Sequence, residues 1–460
     1  MPAAHNHEIA RILAVLLLVV GLSDAAFGAN DSGKTKGSSE QTATAGDAAA
    51  APAASPQASQ PQVEELQRRL EILAAEVEKL RSGEPQTVEL TDRERRDLGV
   101  SPSAAATYRR RTEGVSLAGY GEMLLEKFAN ENEVGVGGGR PRTQLDFLRA
   151  VLYAGYRFND KFLFNSEIEY EHGGEEIGVE FAYLDYLVNK HVTLRGGMLL
   201  LPLGLTNEFH EPTVFLGAKR PETERRILPS TWHENGAGVL GNFGMLNFRA
   251  YVVNGLKAEG FTSSGIRDGR QGGAEAAAED VAFAGRVDAT PVPGVFAGVG
   301  LYRGNSGQGA IESGGASVDV GTTIAEVHGQ AQIRGFDVRG MFAQASIDDA
   351  GALNLALGRA LNQPVGERMR GGYFQIGYNV LSQMPTTLSL MPFVRVERVD
   401  TQNRVPVGFT RDPSLDGRFT TFGVELKPIF TVVIKMDYQW VTNAAGTGRN
   451  QFNVNLGYAF

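Results

Sequence analysis

From Val115 to Phe460 the chain repeats one pattern: segments of about ten residues in which apolar side chains alternate with polar or small ones. In the last segment Phe452, Val454, Leu456, Tyr458 and Phe460 share one face, and Asn453, Asn455, Gly457 and Ala459 share the other. Before it, Val432, Ile434, Met436, Tyr438 and Trp440 oppose Thr431, Val433, Lys435, Asp437 and Gln439. A period of two sends successive side chains to opposite faces of a strand. A soluble sandwich alternates as well, but here the second face holds Lys435 with Asp437, Glu167 with Glu169, and Arg395 with Glu397. An apolar surface facing lipid over a wet polar lumen accounts for that distribution.

The connections carry a second, independent pattern. Every other one is short, at 158–160, 188–190, 243–244, 291–293, 335 and 427–428, with 382–386 slightly longer. The rest are mostly long and polar, at 127–140, 202–235, 257–279, 304–317, 348–368, 401–416 and 443–449, with 172–175 the short exception. Short turns at one end and long loops at the other are the habit of bacterial outer-membrane barrels. The expected fold is therefore all-β, a 16-stranded antiparallel transmembrane β-barrel over 115–460 with both ends on one side, carrying an N-terminal periplasmic coiled-coil helix.

The first residues fit an exported chain. Arg11 precedes an apolar run from Ile12 to Leu22, and Ala26-Phe27-Gly28 offers small residues for cleavage before Ala29, so 1–28 is expected to be a signal peptide. That run is too short for a spanning helix, which needs about 20 apolar residues. Residues 29–61 are Ala, Ser, Thr, Gln, Gly and Pro with almost no large apolar side chain, the composition of a disordered linker. In 62–82, Val63, Leu66, Leu70, Leu73, Val77 and Leu80 recur at heptad spacing, with Glu76 and Arg81 at g and e. That helix is expected to form a coiled coil; packing alone on the barrel end is the other arrangement its stripe allows. Residues 83–114, with Arg93-Glu94-Arg95-Arg96 and Arg109-Arg110-Arg111, are expected to be a solvated periplasmic connector.

Composition removes several function classes. There is no Cys, so thiolate catalysis and Cys-ligated metal are ruled out. A formal net charge of −9 argues against a nucleic-acid partner. Gly236-Ala237-Gly238-Val239-Leu240-Gly241 matches GxGxxG but opens no helix, so no dinucleotide is expected; its glycines are expected to make room for an inward loop. His210-Glu211 and His233-Glu234 share the longest loop at a spacing that fits no metal motif. His328 alternates inward beside Glu326, with no nucleophile identifiable beside it. No catalytic, cofactor or metal site is expected.

The stretch Gly196-Gly197-Met198 through Leu201-Pro202-Leu203-Gly204, followed by Pro229-Ser230-Thr231-Trp232-His233-Glu234-Asn235-Gly236-Ala237-Gly238, resembles the phosphate-selective porin O and P family, and the likeness extends over about 63–460. The resemblance implies an outer-membrane trimer whose pore is narrowed by an inward-folded loop and lined by basic residues that carry anions. It also implies that Phe460 is a signal for the barrel-assembly machinery. Val at a and Leu at d in the heptads lean instead toward two strands. Loop 202–235 would be the constriction, with Lys219, Arg220, Arg225 and Arg226 as its cations, set against Glu208, Glu211, Glu222, Glu224 and Glu234.

Arg195, Arg249, Arg286, Arg334, Arg339 and Arg395 alternate with lipid-facing residues and are expected in the lumen, selecting ions by field. Pairing with Glu167, Glu169, Asp288, Glu326 and Glu397, merely bracing the wall, is the other role open to them. The expected function is passive diffusion of small hydrophilic solutes, inorganic anions such as phosphate first, through an outer-membrane homotrimer bathed in lipid. The alternative is a plugged barrel that anchors a periplasmic coiled coil.

Overall fold

The computed structural model describes residues 87–139 and 141–460. The expected signal peptide, linker and coiled-coil helix lie outside the described residues. The first five barrel strands are β1 (Gly114–Phe128), β2 (Gln144–Arg157), β3 (Phe162–Glu171), β4 (Glu176–Asn189) and β5 (Val192–Leu200). β6 (His233–Phe243), β7 (Leu246–Asn254), β8 (Val281–Val292) and β9 (Val295–Gly304) follow. A small hairpin of β10 (Glu312–Ser313) and β11 (Ala316–Ser317) stands in the next loop. The rest are β12 (Thr322–Ile333), β13 (Phe336–Ile347), β14 (Arg368–Tyr378), β15 (Ser389–Arg404), β16 (Asp416–Ile429), β17 (Val432–Asn443) and β18 (Gln451–Ala459).

Without the hairpin these sixteen strands form one closed antiparallel barrel, each paired with its neighbours in sequence and β1 closing on β18. Closure leaves no edge, so every strand has a hydrogen-bonding neighbour on both sides. At the seam Tyr120 pairs with Ala459, and the Phe460 and Gly119 amides exchange bonds of 2.9 Å in both directions. The expected strand at 236–242 is longer than its alternation shows, because His233 already pairs with Leu200.

The alternation sorts side chains as a barrel requires. In β17 and β18 Met436, Tyr438, Trp440, Phe452 and Leu456 are exposed outward, while Lys435, Asp437, Gln439, Asn453 and Asn455 are buried inside. Aromatic side chains gather outside near the short turns, where Tyr156 meets Phe158, Phe162 meets Tyr186 and Phe336 meets Tyr378. Such girdles sit at membrane–water interfaces.

The stretch expected as a solvated connector instead enters the barrel. Thr91 and Glu94 form a reciprocal capping box on α1 (Asp92–Leu98), and Gly99 ends that helix at φ 62°. The chain then packs Val100, Ala104 and Ala105 inside, at 2%, 2% and 0% exposure, and Thr107 of the short turn α2 (Ala106–Arg109) at 1%. Tyr108 donates to Asp185 at 2.7 Å, and Asn165 donates to the Ala104 carbonyl at 2.9 Å. Small residues let the backbone lie against the wall: a Cβ on Gly155 would collide with the Thr107 side chain. Gly155→Leu is therefore expected to expel 99–108, turning Arg109–Arg111 into a site of rapid trypsin cleavage in the folded protein. Unchanged resistance to trypsin would contradict this placement.

Candidate functional site

The long loop between β5 and β6 folds into the lumen. Its neck is closed by Asn207, whose Nδ2 donates to the carbonyls of Leu201 (2.7 Å) and Trp232 (2.9 Å) and whose Oδ1 accepts from the Trp232 amide at 2.6 Å. Glu224 then ties the loop to itself and to the wall. One oxygen accepts from the amides of Leu205 and Thr206, and the other from the Tyr373 hydroxyl at 2.7 Å. Thr223 donates its amide to Glu397 of β15. The single turn α3 (Glu222–Arg226) holds Glu222 between Arg225 and Arg226. Burial alone would raise the Glu222 carboxyl, but Arg225, Arg226 and Lys219 hold it down at about 2.

The middle of the loop crosses the lumen on a row of basic side chains from the opposite wall. Lys427 donates to the Thr213 carbonyl at 2.9 Å, Arg339 to Val214 at 2.9 Å, and Lys435 to Phe215 at 2.7 Å. Arg395 spans the carbonyls of Leu216 and Lys219, while the Ala218 amide donates to Asp437 at 2.6 Å. Four wall cations thus hold the loop by its backbone oxygens. A carbonyl dipole partly neutralises each buried charge, which costs less than leaving it bare.

Five of the six expected lumen arginines do face inward, and all five are buried. Arg195 forks onto Asp185 at 2.8 and 2.9 Å. Arg249 bridges Glu208 (2.6 Å) and Asp288 (2.8 Å), Arg286 pairs with Asp288 at 2.7 Å, and Arg339 with Asp337 at 2.8 Å. Arg395 lies 3.9 Å from Glu397. Arg334 is misplaced by the sequence pattern: its parity is right, but the strand ends at Ile333, and Arg334 is exposed in the turn before Phe336. His328 is sealed at 0% exposure among Glu326, Asp288 and Arg286, closed to any solute. The glycines of 236–241 make room for the next strand rather than for the loop; Tyr251 lies against Gly238 and Phe248 against Gly241.

Two recesses with polar linings lie on either side of the 213–219 segment. The one toward the short turns has about 430 Å³ and touches Thr213, Val214 and Leu216. Its charged lining is Arg95, Arg96, Arg286, Arg339 and Lys427 against Asp92, Asp337 and Glu425. The one toward the long loops has about 330 Å³ and touches Phe215, Ala218 and Lys219. There Arg149, Lys219, Arg220, Arg225 and Arg267 face Glu122, Glu126 and Glu171. Each recess has five Lys and Arg side chains to three acidic ones, and His172 also lines the second.

The surplus in the second recess can be located. Lys219 pairs with Glu126 at 2.7 Å, and Arg149 serves Glu122, Glu169 and Glu171. Arg220 and Arg267 donate only to the carbonyls of His210 and Ser230 and make no ion pair among the described residues. Burial, then the neighbouring cations Arg270, Arg225 and Arg220, pulls the Arg267 guanidinium below its ordinary value. Asp268 opposes that shift only in part, and like charges packed this closely with so little counter-charge attract anions. Of the expected constriction cations, Lys219, Arg220 and Arg225 line this recess, whereas Arg226 turns toward the Phe419 ring. Arg149 and Arg267 were missed: Arg149 because Leu148 breaks the alternation before it, Arg267 because nothing local marks a loop arginine as inward.

No family model matches the chain. Among solved structures it is similar to the outer membrane channel DcaP of Acinetobacter baumannii, at 12% identity over 76% of this chain and 97% of that one with a TM-score of 0.49. It is similar also to the anion-selective porin from Comamonas acidovorans, at 11% identity over 76% of this chain and 100% of that one with a TM-score of 0.46. An uncharacterized protein of Aquifex aeolicus (strain VF5) is 36% identical over 360 residues, covering 74% of this chain and 78% of that protein. At that identity and coverage, the chain belongs to the same family as the Aquifex aeolicus protein.

Proposed function

We propose that this chain is an outer-membrane porin that lets small hydrophilic solutes diffuse and favours anions of the inorganic phosphate class. The observation that carries the reading is Arg220 and Arg267 beside the inward loop, neither in an ion pair among the described residues, in a recess open toward the long-loop end. A closed barrel with an apolar outside supports the membrane setting. A cation pair at a narrowing raises local anion concentration, and the field is strongest where water is scarce. Arg220→Ala with Arg267→Ala is expected to move the zero-current potential in a KCl gradient toward the K⁺ side by tens of millivolts. An unchanged potential in planar bilayers would remove these two residues from the selectivity mechanism.

The same reading has the chain exported with its long loops outside and its N-terminal helix in the periplasm. Phe460 would serve the barrel-assembly machinery, and three copies would assemble in the outer membrane. A second reading, a plugged anchor, draws support from the 213–219 segment that lies between the two recesses. Liposome swelling separates the two: a porin admits arabinose and swells the vesicles, and an anchor does not.

A further inference from the structure

The inward loop brings His210 against carboxylates from two neighbouring strands. His210 Nε2 lies 3.0 Å from Glu167 Oε1 of β3 and 3.2 Å from Glu180 Oε2 of β4, with the three side chains 1%, 0% and 5% exposed. The other ring nitrogen, Nδ1, is 2.9 Å from the Asn207 carbonyl oxygen, which can only accept. Nδ1 therefore donates to that carbonyl, and between Nε2 and the two carboxylates there must lie either a second ring proton, directed at Glu167, or a cation. Glu167 Oε2 and Glu180 Oε2 are buried without a hydrogen-bond partner. Three electron-pair donors thus converge on one point.

A proton on Nε2 serves Glu167 Oε1 alone, whereas a divalent cation in its place also meets the carboxylate oxygens that the proton leaves without a partner. Ligand atoms about 2.0–2.2 Å from a tetrahedral zinc ion stand about 3.3 Å apart; the two His–Glu separations are close to that, and all three ligand atoms lie within 4.8 Å of one another. A backbone carbonyl holding Nδ1–H is the support that orients a metal-bound imidazole through its other nitrogen. Thr231 Oγ1 donates to Glu180 Oε1 at 2.5 Å, fixing that carboxylate in the same way. Beside Glu167 and His210 a cavity of about 10 Å³ has room for about one water as a fourth ligand. Two carboxylates and an imidazole also balance the charge of the ion.

We propose that Glu167, Glu180 and His210 bind one divalent transition-metal ion of the zinc class. The ion staples the inward loop to β3 and β4. The crossing segment 213–219 starts three residues after His210, so the staple fixes its near end as the wall cations fix its middle.

The test uses the full chain, folded in detergent, stripped with EDTA and carrying His172→Ala. That change disables the exposed trio Glu171, His172 and Glu176, which could also gather a cation. Added Co²⁺ is expected to give the strong visible absorption of a four-coordinate site, saturating at one ion per chain. Zn²⁺ is expected to quench that band and raise the unfolding temperature by several degrees. Absence of both effects in the His172→Ala chain, which keeps all three ligands, would overturn the proposal. Glu180→Gln and His210→Gln are expected to abolish the band; a full band in either variant would overturn it equally.

Discussion

Replacing Leu201–Trp232 with Asn-Gly is expected to raise single-channel conductance several-fold. Leu200 and His233 face each other across the β5–β6 ladder, so a two-residue turn closes the hairpin without stretching it. Asn-Gly is the pair that such a turn prefers, since both central residues take positive φ. The exchange removes the segment between the two recesses and leaves the sixteen-strand ladder intact. It also leaves Arg339, Arg395, Lys427 and Lys435 facing water, which solvates them. Heat-modifiable migration on a gel shows whether the barrel has formed. Wild-type conductance from a folded variant would mean that the loop does not restrict the path.

Arg249→Ala is expected to cost about 3–5 kcal/mol of stability, the usual penalty for stranding the partners of a buried charge. Arg249 is 1% exposed and serves Glu208 of the loop and Asp288 of β8 together. Its loss leaves Glu208 facing Arg286 at 4.0 Å as its remaining ion pair. In urea unfolding from lipid vesicles the midpoint should fall, and Arg249→Ala with Glu208→Gln should fall less than the sum of the single changes. A midpoint shift too small to measure would show that the wall does not depend on this bridge.

The barrel was legible in the sequence because each strand has two unlike surroundings. Trp440 and Phe452 meet the outside, whereas Lys435, Asp437 and Asn455 meet the interior, and period two records that contrast. The short turns were legible for the same reason, since alternation stops where the chain reverses. Arg334 marks the limit of that logic: parity tells which face a residue would take, but not whether the strand still continues.

The interior was much less legible. Thr91, Glu94 and Gly99 signal a helix, but nothing near them in sequence announces that Ser103 will donate to Glu211 or Tyr108 to Asp185. The near cancellation of charge in loop 202–235 misled in a different way. Glu208 is taken by Arg249, Glu211 by Ser103, Glu224 by amides and Tyr373, and Glu234 by Asn254, Gln271 and Trp232. On the proposed function, what sets the field in the second recess is the charge left over there after pairing, Arg220 and Arg267, and pairing is a property of the fold. The proposed metal-ligand set is hidden likewise, because Glu167 and Glu180 join His210 only once the loop turns inward.

On the proposed function this barrel conducts and prefers anions. The most direct measurement is single-channel recording of the purified wild-type chain across a KCl gradient. The account predicts discrete steps and a zero-current potential whose sign marks Cl⁻ as the more permeant ion. A bilayer that stays silent with folded protein inserted, or a potential of the opposite sign, would contradict it.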